Sequence, residues 1–277
     1  MKILLRCVVV GFTFALWVTV ASAKNAVPDL KSDKATAKDI IMQMADVYKN
    51  CKSYSDTGMV KTTFLMKNGT IFVKEKPFST AFVRPNQFRF EYTSKFSPKS
   101  KSYRYIICAK GKEVLTWWDV KPGIKKKVSL RMAIAGATGV SGSSAHTVPV
   151  LLMPKIGGRS FAKFKEGKRI SDSLLNGTMC YRIQGNLKLK PISDSLPNSA
   201  MCSLIQKNLK SIRRIQPSIT LWINQNTFLI HQIDKSSKFP KFRTKATTTY
   251  KAKINIEIAK NDLAFNAPVK DSNQLVK

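Results

Sequence analysis

Ser141, Ser143, Ser144 and His146 place hydroxyl nucleophiles within a few residues of an imidazole. Acyl or ester chemistry would need the ring within hydrogen-bond reach of one hydroxyl, with a third group to orient it. A Ser-x-x-x-x-His spacing fixes no such geometry. Gly139-Val140-Ser141-Gly142 is not the strained nucleophile elbow, and no Asp or Glu lies nearby in sequence to hold the ring. The same stretch contains Gly136, Gly139 and Gly142. Glycines so spaced cradle phosphates only between a buried strand and the N-terminus of a helix. Here basic residues precede them, and Pro149 and Pro154 follow. A hinge or a helix-terminating turn is the better account. The 16 Asp and Glu are scattered, so no carboxylate pair suggests acid–base work. With His146 and His231 as the only histidines and no Cys-x-x-Cys pair, a zinc site is disfavoured. The chain reads as a non-enzyme with neither metal nor cofactor.

Aromatic residues carry more information. Phe82, Phe88, Phe90, Tyr92, Trp117, Trp118, Trp222 and Phe228 fall in β-rich segments on both sides of the glycine stretch. Adjacent Trp117 and Trp118 must face opposite sides of a strand. A core on one side buries one of them; the other is covered by helices, exposed, or turned into a cavity. The cavity reading assigns Phe82, Phe88, Phe90, Tyr92, Trp117 and Trp222 as lining.

The elements that would hold these residues are mostly strands. Ser32 to Lys52 has apolar residues at helical spacing, with Ser32 or Asp33 as cap. Hairpins follow: Tyr54–Met66 with Thr70–Val83 around Asn68-Gly69, then Gln87–Tyr92, then Tyr103–Cys108 with Val114–Trp118. Beyond the glycine stretch come Arg169–Leu175 with Met179–Gln184, Ile219–Ile223 with Phe228–Ile233, Thr244–Tyr250, and a last strand carrying Ile254, Ile256 and Ile258. Tight turns and no βαβ rhythm mean an antiparallel meander. The expected class is α+β: a large curved antiparallel sheet, an unclosed barrel, with helices on one face. The longest uncharged run, Ala133 to Pro154, would cover it, as part of a lid at 129–154. Met132–Ala137 and Val148–Met153 would form short helices hinged at Gly139–Ser144. Met132, Ile134, Val140, Val148, Leu151, Leu152 and Met153 are the apolar lid residues.

The chain starts with Lys2 and Arg6 around a short apolar run, followed by Ala21-Ser22-Ala23. That is the pattern of a secretory signal, cleaved after Ala23 and too short to span a membrane. Residues 24–277 would form one domain, exported to an oxidising compartment. Of the remaining cysteines, Cys180 and Cys202 bracket the insertion-like 187–212 and are the favoured disulfide candidates, though other pairings stay open. The net charge is +32, from 48 Lys and Arg against 16 Asp and Glu. It is spread along the chain and suits an anionic surface without naming one.

Four segments together resemble the periplasmic lipoprotein carriers, the LolA/LolB-like superfamily. They are Val83-Arg84-Pro85-Asn86-Gln87-Phe88-Arg89-Phe90, Lys110-Gly111-Lys112 with the strand to Pro122, Leu221-Trp222-Ile223-Asn224 with Thr227 to Ile230, and Leu263 to Pro268. The resemblance implies a half-barrel lined with apolar side chains and closed by a helical lid. It implies a carrier for lipid or lipoprotein acyl chains, working as a periplasmic monomer with no nucleic-acid partner. An anionic membrane surface is a further partner that the charge would suit. It also implies that Arg84 gates the lid by hydrogen-bonding its carbonyls. The rival reading is an envelope module whose basic surface holds anionic polymer or lipopolysaccharide.

Overall fold

The computed structural model describes residues 35–95, 99–156, 167–186 and 217–267. The signal at 1–23, the insertion at 187–212 and Cys202 lie outside the described residues.

Helix α1 (Ala37–Asn50) opens with a capping box. Thr36 Oγ1 accepts from the Asp39 amide while the Asp39 carboxylate accepts from the Thr36 amide. This reciprocal pair, not Ser32 or Asp33, is the observed cap, so the helix is shorter than expected. Its buried stripe is Ile40, Ile41, Met44 and Tyr48.

The remaining elements, in chain order, are β1 (Ser53–Met66), β2 (Ile71–Val83), β3 (Gln87–Lys95), β4 (Ser102–Lys110), β5 (Glu113–Trp118) and β6 (Lys125–Lys126). Two helices follow, α2 (Leu130–Thr138) and α3 (Ser144–Leu152). Then come β7 (Lys168–Leu175), β8 (Thr178–Asn186), β9 (Ser218–Asn224), β10 (Ile230–Lys238), β11 (Phe242–Tyr250) and β12 (Lys253–Ile254). All pairings are antiparallel, in the order β6-β5-β4-β3-β2-β1-β11-β10-β9-β8-β7, with β12 beside the start of β1. At the two ends of the path β6 and β7 do not pair with each other among the described residues, and the sheet is not closed there. The central strand β1 joins the two halves of the chain, pairing with β2 on one side and β11 on the other.

Turn chemistry produces the hairpins as expected. Gly69 takes φ +81 in the β1–β2 turn, and the Met66 amide donates to Thr70 O at 2.9 Å. Alternation then selects the faces. In β3, Phe88, Phe90, Tyr92 and Ser94 are buried while their neighbours are less so. Gly58 in β1 is required by packing: a Cβ there would collide with the Phe78 ring and the Thr249 carbonyl. The last predicted strand is not formed as such. Pairing stops at Ile254 because Asn255 turns to φ +55, and a 3₁₀ turn follows at Lys260–Leu263.

Candidate functional site

The concave face of the sheet is the place where the predicted lining residues could meet. Register brings Phe82 opposite Phe88, Phe90 opposite Ile107, and Tyr92 opposite Tyr105. Phe82, Phe88, Phe90 and Tyr92 are all fully buried. Phe78 and Phe90 stack with centroids 6.3 Å apart, and Tyr92 stacks on Tyr105 at 5.8 Å. The other half contributes Tyr181, Ile183, Leu221, Ile223 and Ile233 to the same core. The result is one continuous apolar concavity built from both halves.

Two predicted lining residues lie elsewhere. Trp117 pairs with Ile106, on the opposite side of β5 from Val114 and Trp118. Its burial comes from the outer surface, where the Arg104 guanidinium lies 5.4 Å from its ring centroid. That surface is strapped by the C-terminal segment: Arg89 donates to Ala264 O, Arg104 to Asn266 O, and the Cys108 thiol to Leu263 O. Trp118 faces inward instead, against Tyr103 and Tyr105, its indole N–H without a hydrogen-bond partner among the described residues. Trp222 alternates with buried Leu221 and Ile223 and so faces outward. It donates to Asp234 Oδ2 at 2.8 Å and carries Arg182 over its ring at 4.6 Å. Both corrections follow from strand parity: neighbouring residues of a strand cannot share a face.

Helices α1, α2 and α3 fill the concavity. α2 lies against β4 and β5, and α3 packs on both other helices. α3 is buried almost all round, as expected of a helix with no polar face. Of the predicted lid residues, Ile134, Val148, Leu151 and Leu152 are buried, and Val140 and Met153 pack at the edge of the core. Met132 points outward, 56% exposed. Between α2 and α3, Gly142 adopts φ +69 and Ser143 φ +78. A Cβ on Gly142 would approach Val60 Cγ1 to 2.9 Å, so the hinge rests directly on β1. The serine hydroxyls there are spent on backbone: Ser144 Oγ donates to Ser141 O, and Ser141 Oγ accepts from the Ala145 amide. These are local side-chain–backbone bonds around the hinge, while Ser143, the N-cap of α3, makes no side-chain capping bond.

Arg84 follows the end of β2 and joins the helices to the sheet. Its Nε donates to Cys51 O at 2.7 Å. Its Nη2 donates to Tyr48 O at 3.2 Å, to Leu152 O at 3.0 Å and, closer still, to Lys49 O. The carbonyls at a helix C-terminus have no intrahelical donor, and a guanidinium supplies several in a fixed plane. One side chain thus holds the C-terminal ends of both α1 and α3. Tyr48 adds a second tie, its hydroxyl accepting from the Ile230 amide at 3.0 Å.

Sequence reasoning missed three polar groups on the concave face. Asp56 is buried beside Tyr54, whose hydroxyl donates to it at 2.6 Å, and burial pushes its carboxyl up to about 6. Lys235 lies in the row Lys74–Thr62–Ala246–Lys235, and burial pulls its ammonium down to about 8. Lys76, lowered by the same cause, donates to Val140 O of the hinge at 2.6 Å. Of the disulfide candidates, Cys180 is buried; Cys51, Cys108 and Cys180 form no bond with one another among the described residues. No helix of the described residues is long and apolar enough to cross a membrane, which says nothing of spanning strands.

An open antiparallel barrel with helices seated in its concavity is the architecture that the RPN strand led us to expect. The fold is an α+β half-barrel, a large unclosed antiparallel sheet with helices on its concave face. No family model and no curated protein matches the chain. Among solved structures, LprF from Mycobacterium bovis is similar at 9% identity, covering 80% of this chain and 94% of its own, with a TM-score of 0.41. A putative outer membrane lipoprotein-sorting protein domain from Vibrio parahaemolyticus is 7% identical over 80% of this chain and 94% of its own, with a TM-score of 0.33. A LolA superfamily protein from Nitrosomonas europaea is 9% identical over 83% of this chain and 98% of its own, with a TM-score of 0.29. At these values the likenesses carry no functional argument; the fold is read from the sheet and helices themselves.

Proposed function

We propose that the protein is an exported, periplasmic, monomeric carrier that accepts a lipid or lipoprotein acyl chain on its concave face when helices α1 and α3 withdraw. The observation that carries this reading is Arg84, which bonds the C-terminal carbonyls of both helices over a continuous apolar surface. The exchange is energetically feasible. Burying a sixteen-carbon chain is worth roughly 12 kcal/mol gross at about 0.8 kcal/mol per methylene, offset by re-exposing the helix faces. Arg84 acts here as the gate, and Phe82, Phe88, Phe90 and Tyr92 are the lining the chain would meet.

Lipid extraction and native mass spectrometry of the purified protein test the reading. Co-purifying acyl lipid is expected, with occupancy raised in Arg84→Leu. Preparations that never contain lipid, or an Arg84→Leu protein with unchanged occupancy and unchanged protease sensitivity at residues 139–144, would sink it.

A further inference from the structure

One end of the sheet is unlike the rest. The β1–β2 turn and the β10–β11 turn lie side by side there, because Met66 pairs with Phe242 and the Lys67 amide donates to Lys241 O at 3.3 Å. Beyond the α2–α3 hinge no helix among the described residues covers these strands, and several of their apolar side chains are exposed. Ile71 is 61% exposed, Phe72 55%, Val73 48% and Leu65 41%. Leu65, Ile71 and Val73 share one face of the hairpin, while Phe64 and Phe72 share the other. Phe242 extends the second face, its ring 6.0 Å from Phe64 and 4.5 Å from Phe239. A soluble surface seldom leaves so contiguous an apolar patch, on both faces of one tip, without an occupant.

Charge says which occupant. Residues 61–76 and 238–245 carry eight Lys and Arg: Lys61, Lys67, Lys74, Lys76, Lys238, Lys241, Arg243 and Lys245. Against them stands one acid, Glu75, already paired with Lys61 at 3.4 Å. Exposed aromatic and aliphatic residues ringed by cations fit an anionic bilayer: cations meet the headgroups and the apolar tip enters the boundary with the acyl chains. A second copy of the chain is the poorer fit. β2 does leave residues 71–77 unpaired on the side away from β1 among the described residues. Pro77 and the charged run Lys74-Glu75-Lys76 guard that edge, and two such basic tips repel each other.

We infer that the paired tips, residues 64–73 and 239–243, form a docking site for anionic phospholipid membranes. The site is separate from the helix-filled concavity, but the strands that bear it run straight into that concavity. On the carrier reading, a docked protein would hold its bare end at the membrane while cargo enters.

Flotation with vesicles of phosphatidylglycerol, and separately of phosphatidylcholine, tests the site with the purified protein. Binding to the phosphatidylglycerol vesicles is expected, weakened by salt and nearly absent with phosphatidylcholine. Lys241→Gln and Arg243→Gln should each weaken binding about fivefold, the effect of one surface cation. The double variant Ile71→Ser/Phe72→Ser should weaken it about tenfold or more without changing the melting temperature or any co-purified lipid. In Phe72→Trp, tryptophan emission should shift to the blue on adding phosphatidylglycerol vesicles. No binding, binding indifferent to the tip variants, or a dimer in sedimentation that the Ile71/Phe72 variant abolishes would each overturn the proposal. Lipid content is read separately from vesicle binding, so failure here is distinguishable from failure of the carrier reading.

Discussion

The strands β1, β2, β10 and β11 pass through two environments along their length. In their inner rows, from Tyr54 to Val60 on β1, the concave side chains lie under helices and are buried. In their outer rows, from Thr62 to Met66, no helix among the described residues covers the same face, which carries Lys74 and the half-buried Lys235 in the row of Thr62 and then Phe64, Phe72 and Phe242. The boundary is where the α2–α3 hinge touches β1, at Val60. One sheet therefore has a helix-covered compartment and a bare one, and the β2–β3 pairing also ends near that boundary, at Phe78.

Core truncation should show the largest contrast. Phe90→Ala is expected to cost about 3–5 kcal/mol, because the ring is fully buried and its neighbours can collapse only in part. Phe72→Ala should stay within about 0.5 kcal/mol. Urea midpoints of the two variants check this, and equal losses would erase the distinction between the compartments.

Arg84→Leu comes next. It strips the donor from the carbonyls of Tyr48, Lys49, Cys51 and Leu152 and should cost about 2–3 kcal/mol. Hydrogen exchange should accelerate at the C-terminal turns of α1 and α3 while amides of β8 and β9 stay protected. Uniform acceleration would mean the helices are ordinary core rather than a plug.

Asp56 gives a pH signature to the plugged compartment. Burial holds its carboxyl at about 6 in the fold, above the ordinary 3.8. Between those values the folded state binds more protons than the unfolded state. Stability from this group is therefore full below about pH 4 and lost as pH rises through 6, by roughly 2–3 kcal/mol. Asp56→Asn keeps an acceptor for Tyr54 and should flatten thermal stability across that window. An unaltered profile would remove Asp56 as its source.

A smaller loss than those of Phe90, Arg84 and Asp56 is expected at the boundary. Lys76→Met deletes one hydrogen bond to Val140 O and should cost about 1 kcal/mol, seen as faster limited proteolysis at the hinge.

Much of this was legible in the sequence because it is local. Asn68-Gly69 marks a turn whatever surrounds it, and the alternation of Phe88, Phe90 and Tyr92 declares a face without naming neighbours. Both lid helices were visible in the uncharged run, although each begins before the predicted residue. What failed was parity. Trp117 and Trp118 are indistinguishable by type, and only the pairing of Ile106 with Trp117 tells which one turns outward. Trp222 failed for the same reason, since its Asp234 and Arg182 partners come from neighbouring strands. The inward lysines were hidden differently. Lys74 and Lys76 alternate with Glu75 like any solvated hairpin, and nothing in the sequence says that the helices stop short of them. Arg84 was found through the resemblance of its whole strand, not through its own chemistry.

Arg84 bonds two helices that are distant in sequence through one planar group, and its Nη2 alone serves carbonyls on both. The two helix ends therefore share a latch. On the carrier reading, a ligand that turned this guanidinium away would loosen the ends of α1 and α3 together, leaving Tyr48 and the packed faces as the remaining ties.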